Sequence, residues 1–431
     1  MIYKQDTSCN KWAFENIPEF PFGEMRGGLV NTGAFLGSDE SEGASFAHSF
    51  INVTRQEFLD YIDILKGFDF ETVFENEIDG NLFRQFRCPE GLIYTSFFEN
   101  DKTVRIILDR CPCATPAEFS KTEYTPLSAD TLLVQYSLHY SHMIRGISSD
   151  CGMNYILRLK DNSVVIIDGG EKEQCNENVM EDYFNLLHEI TGTKAGEKIT
   201  IALWICTHPH DDHCDFFSRL LKKFEGKIEV ERVSFNFPAA FNVRHSETIP
   251  LMKERIKQYA PSALFLKMHS GQVFTLADTA FTCLYANEDG ILLNGGKEFA
   301  GTNDYSLIFM VRSEDDKILF LADCGDINAS FLLRNYDKEF EYIDFLQAAH
   351  HGINELPTLY EKLETRELLL PQCRMNMETR FKTVYDIFRW NYSEKKIHFA
   401  GDNTSLYFLK DGDFTVRHLP HTGGIYDGSE L

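Results

Sequence analysis

Three histidines and two aspartates fall within six residues, His208-Pro209-His210-Asp211-Asp212-His213, directly after the apolar run Ile199-Thr200-Ile201-Ala202-Leu203-Trp204-Ile205-Cys206 and its closing Thr207. An apolar run of that length, bounded by polar residues, reads as a strand buried on both faces. The histidines therefore emerge where a central strand ends, which is where sites sit in layered α/β folds. Imidazoles and carboxylates packed this densely are costly to bury unless a cation neutralises them. Such a mixed donor set suits zinc, iron or manganese. A solvated polar loop is the alternative, but a surface loop has no need of three histidines at this spacing in a chain with 14 in all.

His208, His210, Asp212 and His213 resemble, in order and spacing, the His-x-His-x-Asp-His signature of the metallo-β-lactamase-fold hydrolases. Other stretches resemble that family's landmarks in the right order. Val164-Val165-Ile166-Ile167-Asp168-Gly169-Gly170 is similar to the strand and Asp-Gly turn before the metal loop. Lys317-Ile318-Leu319-Phe320-Leu321-Ala322-Asp323 is similar to the strand that delivers a bridging carboxylate, with Ala322 where many relatives have Gly. Leu346-Gln347-Ala348-Ala349-His350-His351-Gly352 and Gly301-Thr302-Asn303-Asp304-Tyr305-Ser306-Leu307 resemble the His-His-Gly and Asn-x-x-Ser motifs of the branch with competence-type hydrolase domains. The resemblance implies an α/β fold, an αββα metallo-β-lactamase-like sandwich covering roughly 130–431. Ahead of it stands a small α+β N-terminal domain, with the division placed at 1–125 and 126–431.

The resemblance also implies roles. His208 and His210 would bind one ion, and Asp212 and His213 a second. Asp323 would bridge them at the roughly 3.5–4 Å typical of two-metal hydrolysis, where a metal-bound hydroxide is the nucleophile. The bland reading of Asp323 is a strand-end acid capping the next helix. Adjacent His350 and His351 point in different directions; His350 is favoured as completing the second site and His351 as lining the substrate pocket, with the reverse order left open. Asp212 and His351 are the residues expected to serve catalysis. Asp168 either orients a ligand histidine or simply forms the turn before Gly169-Gly170. One departure stands out: the family's third histidine for the first ion, midway between the metal loop and the bridging Asp, has no clear counterpart. His245 and His269 are the only histidines in that interval, and Asn303 is a further candidate. Asp211 reads as a solvated surface acid, Cys324 as a buried thiol, and Cys206 and Cys214 as flanking residues off ligand spacing. Tyr136, His139, Tyr140, His142 and Arg145 form an aromatic and basic loop read as surface.

Elsewhere the pattern is less specific. Residues 1–45 read as extended or irregular. Thr54-Arg55-Gln56-Glu57 is a capping box opening a helix with Phe58, Tyr61, Ile62 and Leu65 on one face, followed by strands turning at Asp79-Gly80 and Asn100-Asp101. The prolines at 112, 116 and 126 mark a linker. A run of strands is expected from Val273 to Leu321, and a final pair turns at Asp411-Gly412.

The 431 residues carry a net charge of −24, which repels nucleic acid and anionic membranes over long range. A long nucleic acid partner is therefore disfavoured and a small-molecule substrate expected. No run approaches the roughly 18 apolar residues of a spanning helix, and the start has no apolar signal region. The 11 cysteines are scattered, without a CxxC, which points to neither a disulfide framework nor a thiolate zinc site and agrees with a cytoplasmic location. The expected cofactor is Zn2+, as one or two ions, with Mn2+ or Fe2+ as substitutes. The expected function is a metal-dependent hydrolase acting on a small phosphodiester or ester. The alternative is a non-catalytic binding or regulatory protein with a partial metal site. An oxygen-reducing diiron reading is weaker, because His210 stands where those relatives resemble one another in carrying Glu. The N-terminal module is a candidate surface for homo-oligomer formation.

Overall fold

The structure is a computed structural model that describes residues 12, 14–30, 45–110, 113–138, 152–171, 175, 177–194, 196–236, 248–293 and 303–419. Two mixed sheets pack face to face. The first runs Leu264–Leu266, Arg232–Ser234, Ile199–Ile205, Val164–Asp168, Asn154–Arg158, Thr131–Gln135, Thr404–Lys410, Asp413–Leu419, with the short strand Ile228–Val230 also paired to Ile199–Ile205. The second runs Val273–Leu276, Thr279–Tyr285, Ile308–Ser313, Asp316–Phe320, Ile343–Gln347, Thr365–Leu370, Ile397–Phe399. Alternate residues of each strand point between the sheets, so Tyr155, Leu157, Val165, Ile167, Leu203 and Ile205 meet Phe281, Phe309, Val311, Ile318, Phe320 and Phe345 in one buried cluster.

The opposite side chains of the same strands are also apolar, so both outer faces need cover. Helices Glu177–Thr191, Asp211–Lys223 and Thr248–Tyr259 cover the first sheet. Helices Asp326–Asn335, Pro357–Lys362, Arg374–Thr379 and Lys382–Asn391 cover the second. The result is an αββα sandwich.

The expected run of strands between Val273 and Leu321 is broken by a helix, Asn287–Leu293. The reason is local: the Asp289 carboxylate accepts the Ala286 amide at 2.9 Å, three residues back, and acids fill the first turn.

The N-terminal part is a six-stranded antiparallel sheet in the order Glu24–Val30, Ser45–Ile51, Thr103–Asp109, Gly91–Phe98, Asn81–Cys88, Glu71–Ile78. The helix Arg55–Gly67 opens with the Thr54/Glu57 capping box and buries Phe58, Tyr61, Ile62 and Leu65. Residues 24–30, read as irregular, form an edge strand; an irregularity between Met25 and Gly28 breaks the alternation that would have marked it. One face of this sheet packs against the helix and Phe14, Ile17 and Phe20. Its other face, through Ala47, Phe83, Tyr94, Phe98 and Ile107, joins the cluster containing Tyr285, Leu292, Phe331 and Tyr336. Both faces are thus occupied within the chain.

Of the expected linker, Cys111 and Pro112 lie outside the described residues. The remainder runs along the sandwich, with the Ala114 amide bonded to the Phe265 carbonyl at 2.7 Å and Lys121 to Thr275 at 2.8 Å. Among the described residues no helix is long and apolar enough to cross a membrane.

Candidate metal centre

Each sheet contains a parallel pair of central strands, Val164–Asp168 with Ile199–Ile205 and Asp316–Phe320 with Ile343–Gln347. Their C-terminal ends deliver residues 168, 207–213, 322–323 and 349–351 to one edge of the sandwich. Backbone bonds tie the loops together: the Leu307 amide donates to the Thr207 carbonyl at 2.7 Å and the His350 amide to the Ala322 carbonyl at 2.8 Å. The Asp323 amide donates to Ser306 Oγ at 3.1 Å.

Four non-glycine residues here sit in the left-handed region: Asp168 (φ 61°), Ala322 (φ 49°), His350 (φ 48°) and His351 (φ 51°). Each such residue costs roughly 1–2 kcal/mol, so the loops are held by their surroundings rather than by their own preference.

The side chains converge in two groups of mutually close donor atoms, His208 with His210 and Asp323, and Asp212 with His213 and His351. Asp323 faces both. Its Oδ2 lies 3.5 Å from His208 Nε2, while its Oδ1 lies 3.2 Å from His213 Nε2 and 3.8 Å from His351 Nε2. Asp212 Oδ2 is 3.0 Å from His351 Nε2.

Both ring nitrogens of His208, Nε2 of His213 and both carboxylate oxygens of Asp323 are buried without a hydrogen-bond partner. Buried polar atoms are seldom left so, and each orphan costs on the order of 1–3 kcal/mol. A divalent cation on either side of Asp323 would take up these lone pairs. Nitrogen and oxygen donors without thiolate fit zinc, iron or manganese.

Asp168 is held by the Thr207 amide (2.7 Å) and hydroxyl (2.8 Å), and its Oδ2 bonds His213 Nδ1 at 2.8 Å. That bond turns Nε2 of His213 toward Asp323. Burial, reinforced by His213, holds the His208 imidazole well below its usual range, so it stays neutral with a lone pair to offer. Burial also pulls on His213, but Asp168, Asp323 and Asp212 outweigh it and push that imidazole up.

Of the adjacent pair, the structure brings His351 into the second group in place of the expected His350. Two successive left-handed residues are the cause, because strand alternation no longer decides which way each ring points. Among the candidates for a third first-ion histidine, His269 is committed elsewhere, its Nε2 bonding Asp109 at 2.6 Å and its Nδ1 bonding Glu288. His245 and residues 139–145 of the aromatic and basic loop lie outside the described residues; Tyr136 is buried against Tyr183. Asp211, read as a surface acid, is only 9% exposed, because it opens the helix Asp211–Lys223 beneath the loop. Cys206, Cys214 and Cys324 are buried. Sequence reasoning missed Thr207, which fixes Asp168, and Asn354, whose Oδ1 bonds His350 Nδ1 at 2.8 Å. The one available signal for Asn354 was an amide four residues after a candidate ligand.

No family model matches the sequence, and no curated protein matches it. Solved structures similar to the chain include the diiron β-hydroxylase CmlA from Streptomyces venezuelae, at 13% identity and TM-score 0.36 over 64% of this chain and 53% of that one. The chain thus spans about half the length of that protein. The short form of human tRNase Z is similar at 14% identity and TM-score 0.31, over 55% of this chain and 91% of that one. The flavodiiron protein from Giardia intestinalis is similar at 13% identity and TM-score 0.29, over 63% of this chain and 60% of that one.

Proposed function

We propose that this chain is a metal-dependent hydrolase of the metallo-β-lactamase superfamily, in its His-His-Gly branch, acting on a small phosphodiester or ester. The observation that carries the reading is the Asp323 carboxylate, buried and without a hydrogen-bond donor, with imidazole nitrogens facing each of its oxygens. His208, His210 and Asp323 would hold one ion, and Asp212, His213, His351 and Asp323 the other. When bound, such ions polarise an ester or phosphoryl oxygen and lower the pKa of water from 15.7 toward about 7.

The remaining work falls to the chain itself. Asp168 keeps His213 in the tautomer that offers Nε2 inward. Asp212, with a quarter of its side chain exposed, is the carboxylate on the open side; burial pulls its carboxyl up, but His213 and His351 outweigh that and hold it well below the usual range, so it stays ionised as a donor to a cation. The Asn303-x-x-Ser306 and His350-His351-Gly352 motifs support the branch, and the net charge of −24 supports a small substrate over a polynucleotide. Zn2+ is the first choice of ion, with Mn2+ or Fe2+ as substitutes.

Elemental analysis should find about two divalent ions per chain. Hydrolysis of bis(p-nitrophenyl) phosphate should fall at least ~100-fold in His210→Ala, by analogy with the loss of other catalytic groups. A folded protein that takes up no divalent ion would sink the reading in favour of a binding or regulatory role.

A further inference from the structure

The two groups of donors are unequal. Among the described residues, the group on the Oδ1 side of Asp323 has His213, His351 and Asp212, and the group on the Oδ2 side has His208 and His210. His269 cannot redress this, since both its nitrogens are bonded. His350 can. Its Nε2 lies 3.5 Å from Asp323 Oδ2, the same separation as His208 Nε2 from that oxygen. Donors sharing one ion at bonds of about 2.0–2.1 Å are themselves separated by roughly 3.4 Å in a tetrahedral arrangement.

Asn354 favours one tautomer of this ring. Asn354 Nδ2 donates to the Cys324 carbonyl at 2.8 Å, which leaves its Oδ1 to accept from His350 Nδ1 at 2.8 Å. With the proton on Nδ1, the lone pair sits on Nε2. The Asn303 amide nitrogen lies 3.2 Å from both Nδ1 and Nε2 of this ring.

We infer that His350 is the third imidazole of the ion position on the Oδ2 side of Asp323, with Asn354 as its positioning residue. The ligand absent from the middle of the chain is supplied from the loop after Ile343–Gln347. This rests on the metal-site reading above and adds a role that the reading leaves unassigned. His350 stands outside the set of mutually close atoms, so it reaches the ion by a side-chain movement; about a quarter of its side chain is exposed, which leaves room for one. Asn303 then releases the ring.

The test is Zn2+ titration of chelator-stripped protein against a competing chromophore, together with the visible absorption spectrum of the Co2+-loaded form. Wild type should take two ions. His350→Ala should keep one at wild-type affinity and bind the other at least ~100-fold more weakly, with a changed Co2+ spectrum. Asn354→Ala should weaken the same ion ~10–100-fold, and Asn354→Asp, which keeps the acceptor oxygen, should restore it. Because Asn354 lies outside the donor groups, this pair keeps the question answerable even where His350→Ala fails to fold. Two ions bound by His350→Ala with wild-type affinity and spectrum overturn the inference and leave the metal-site reading standing, even if turnover falls. A wild type that binds only one ion, lost in His351→Ala but not in His350→Ala, overturns it as well. A wild type that binds none overturns both.

Discussion

At the scale of single residues, the site is built by conformations that these residues would not choose alone. Ala322 holds φ 49° immediately before Asp323, and the Ala322 carbonyl accepts the His350 amide, so the strained residue links both halves of the pocket. Glycine reaches this region without the Cβ clash. Ala322→Gly should therefore stabilise the protein by about 0.5–1 kcal/mol in chemical denaturation, after the extra flexibility of the unfolded chain is subtracted, with metal content unchanged. Asp168 gives the opposite case. It accepts from the Thr207 amide and hydroxyl and bonds His213 Nδ1, so Asp168→Ala orphans a buried amide and frees a ring to turn. Zn2+ affinity on the His213 side should drop ~10–100-fold, read by the same competitive titration. The sequence carried much of this site, because imidazoles and carboxylates at tight spacing after an apolar run have few other uses. It did not separate His350 from His351: with both residues left-handed, the direction of each ring depends on tertiary contacts such as the Asn354 amide, which leave no periodic trace.

At the scale of elements, the helix Asp211–Lys223 carries Asp212 and His213, and its distance from the strand end sets where they stand. A Cβ on Gly169 would lie 2.6 Å from Phe217 Cβ and 3.1 Å from the Phe217 amide nitrogen. The Phe217 amide meanwhile donates to the Gly169 carbonyl at 3.0 Å. Gly169→Ala must push the helix outward, costing about 1–3 kcal/mol of stability and weakening the ion on the Asp212 side before the one on the His208 side. A variant that unfolds less readily than wild type, or that loses the His208-side ion first, would contradict this. Elements with a clean period were readable in advance: the helix at Arg55–Gly67, the strand Ile199–Ile205 and the terminal hairpin Thr404–Lys410 with Asp413–Leu419. Two that escaped had no such period. Asn287–Leu293 is two turns long and owes its start to an acid–amide cap, and in Glu24–Val30 the glycines and an irregular register hide the alternation.

At the scale of the whole molecule, the N-terminal sheet and the sandwich are joined by a charged core as well as an apolar one. Nothing in the sequence pointed to it, because its members are spread from Tyr94 to Asp289 and meet only in the fold. Asp109 bonds Lys267 Nζ at 2.8 Å and His269 Nε2 at 2.6 Å. Glu288 takes the other His269 nitrogen and accepts from Asn236 at 2.8 Å. The Tyr94 ring stacks on the imidazole with centroids 4.6 Å apart, and Arg105 pairs with Asp289 at 2.9 Å. Burial pulls the His269 imidazole down, but Asp109 and Glu288 outweigh it and raise it from 6.5 to about 9. A histidine whose folded pKa exceeds its unfolded one contributes stability that is complete below the unfolded value and is lost as pH rises through the folded value. The free energy of unfolding should thus decline between pH 6.5 and about 9, by on the order of 2–3 kcal/mol from this group. Other groups titrate in the same interval, so the measurement is the difference between wild type and His269→Gln in denaturant titrations at pH 6, 7.5 and 9.5. The gap should be widest at pH 6 and narrow toward pH 9.5, where deprotonated His269 leaves two carboxylates facing one lysine. A gap that stays constant across the three values would mean that His269 is neutral in the folded protein and adds no charged pair to the junction of the sheet with the sandwich.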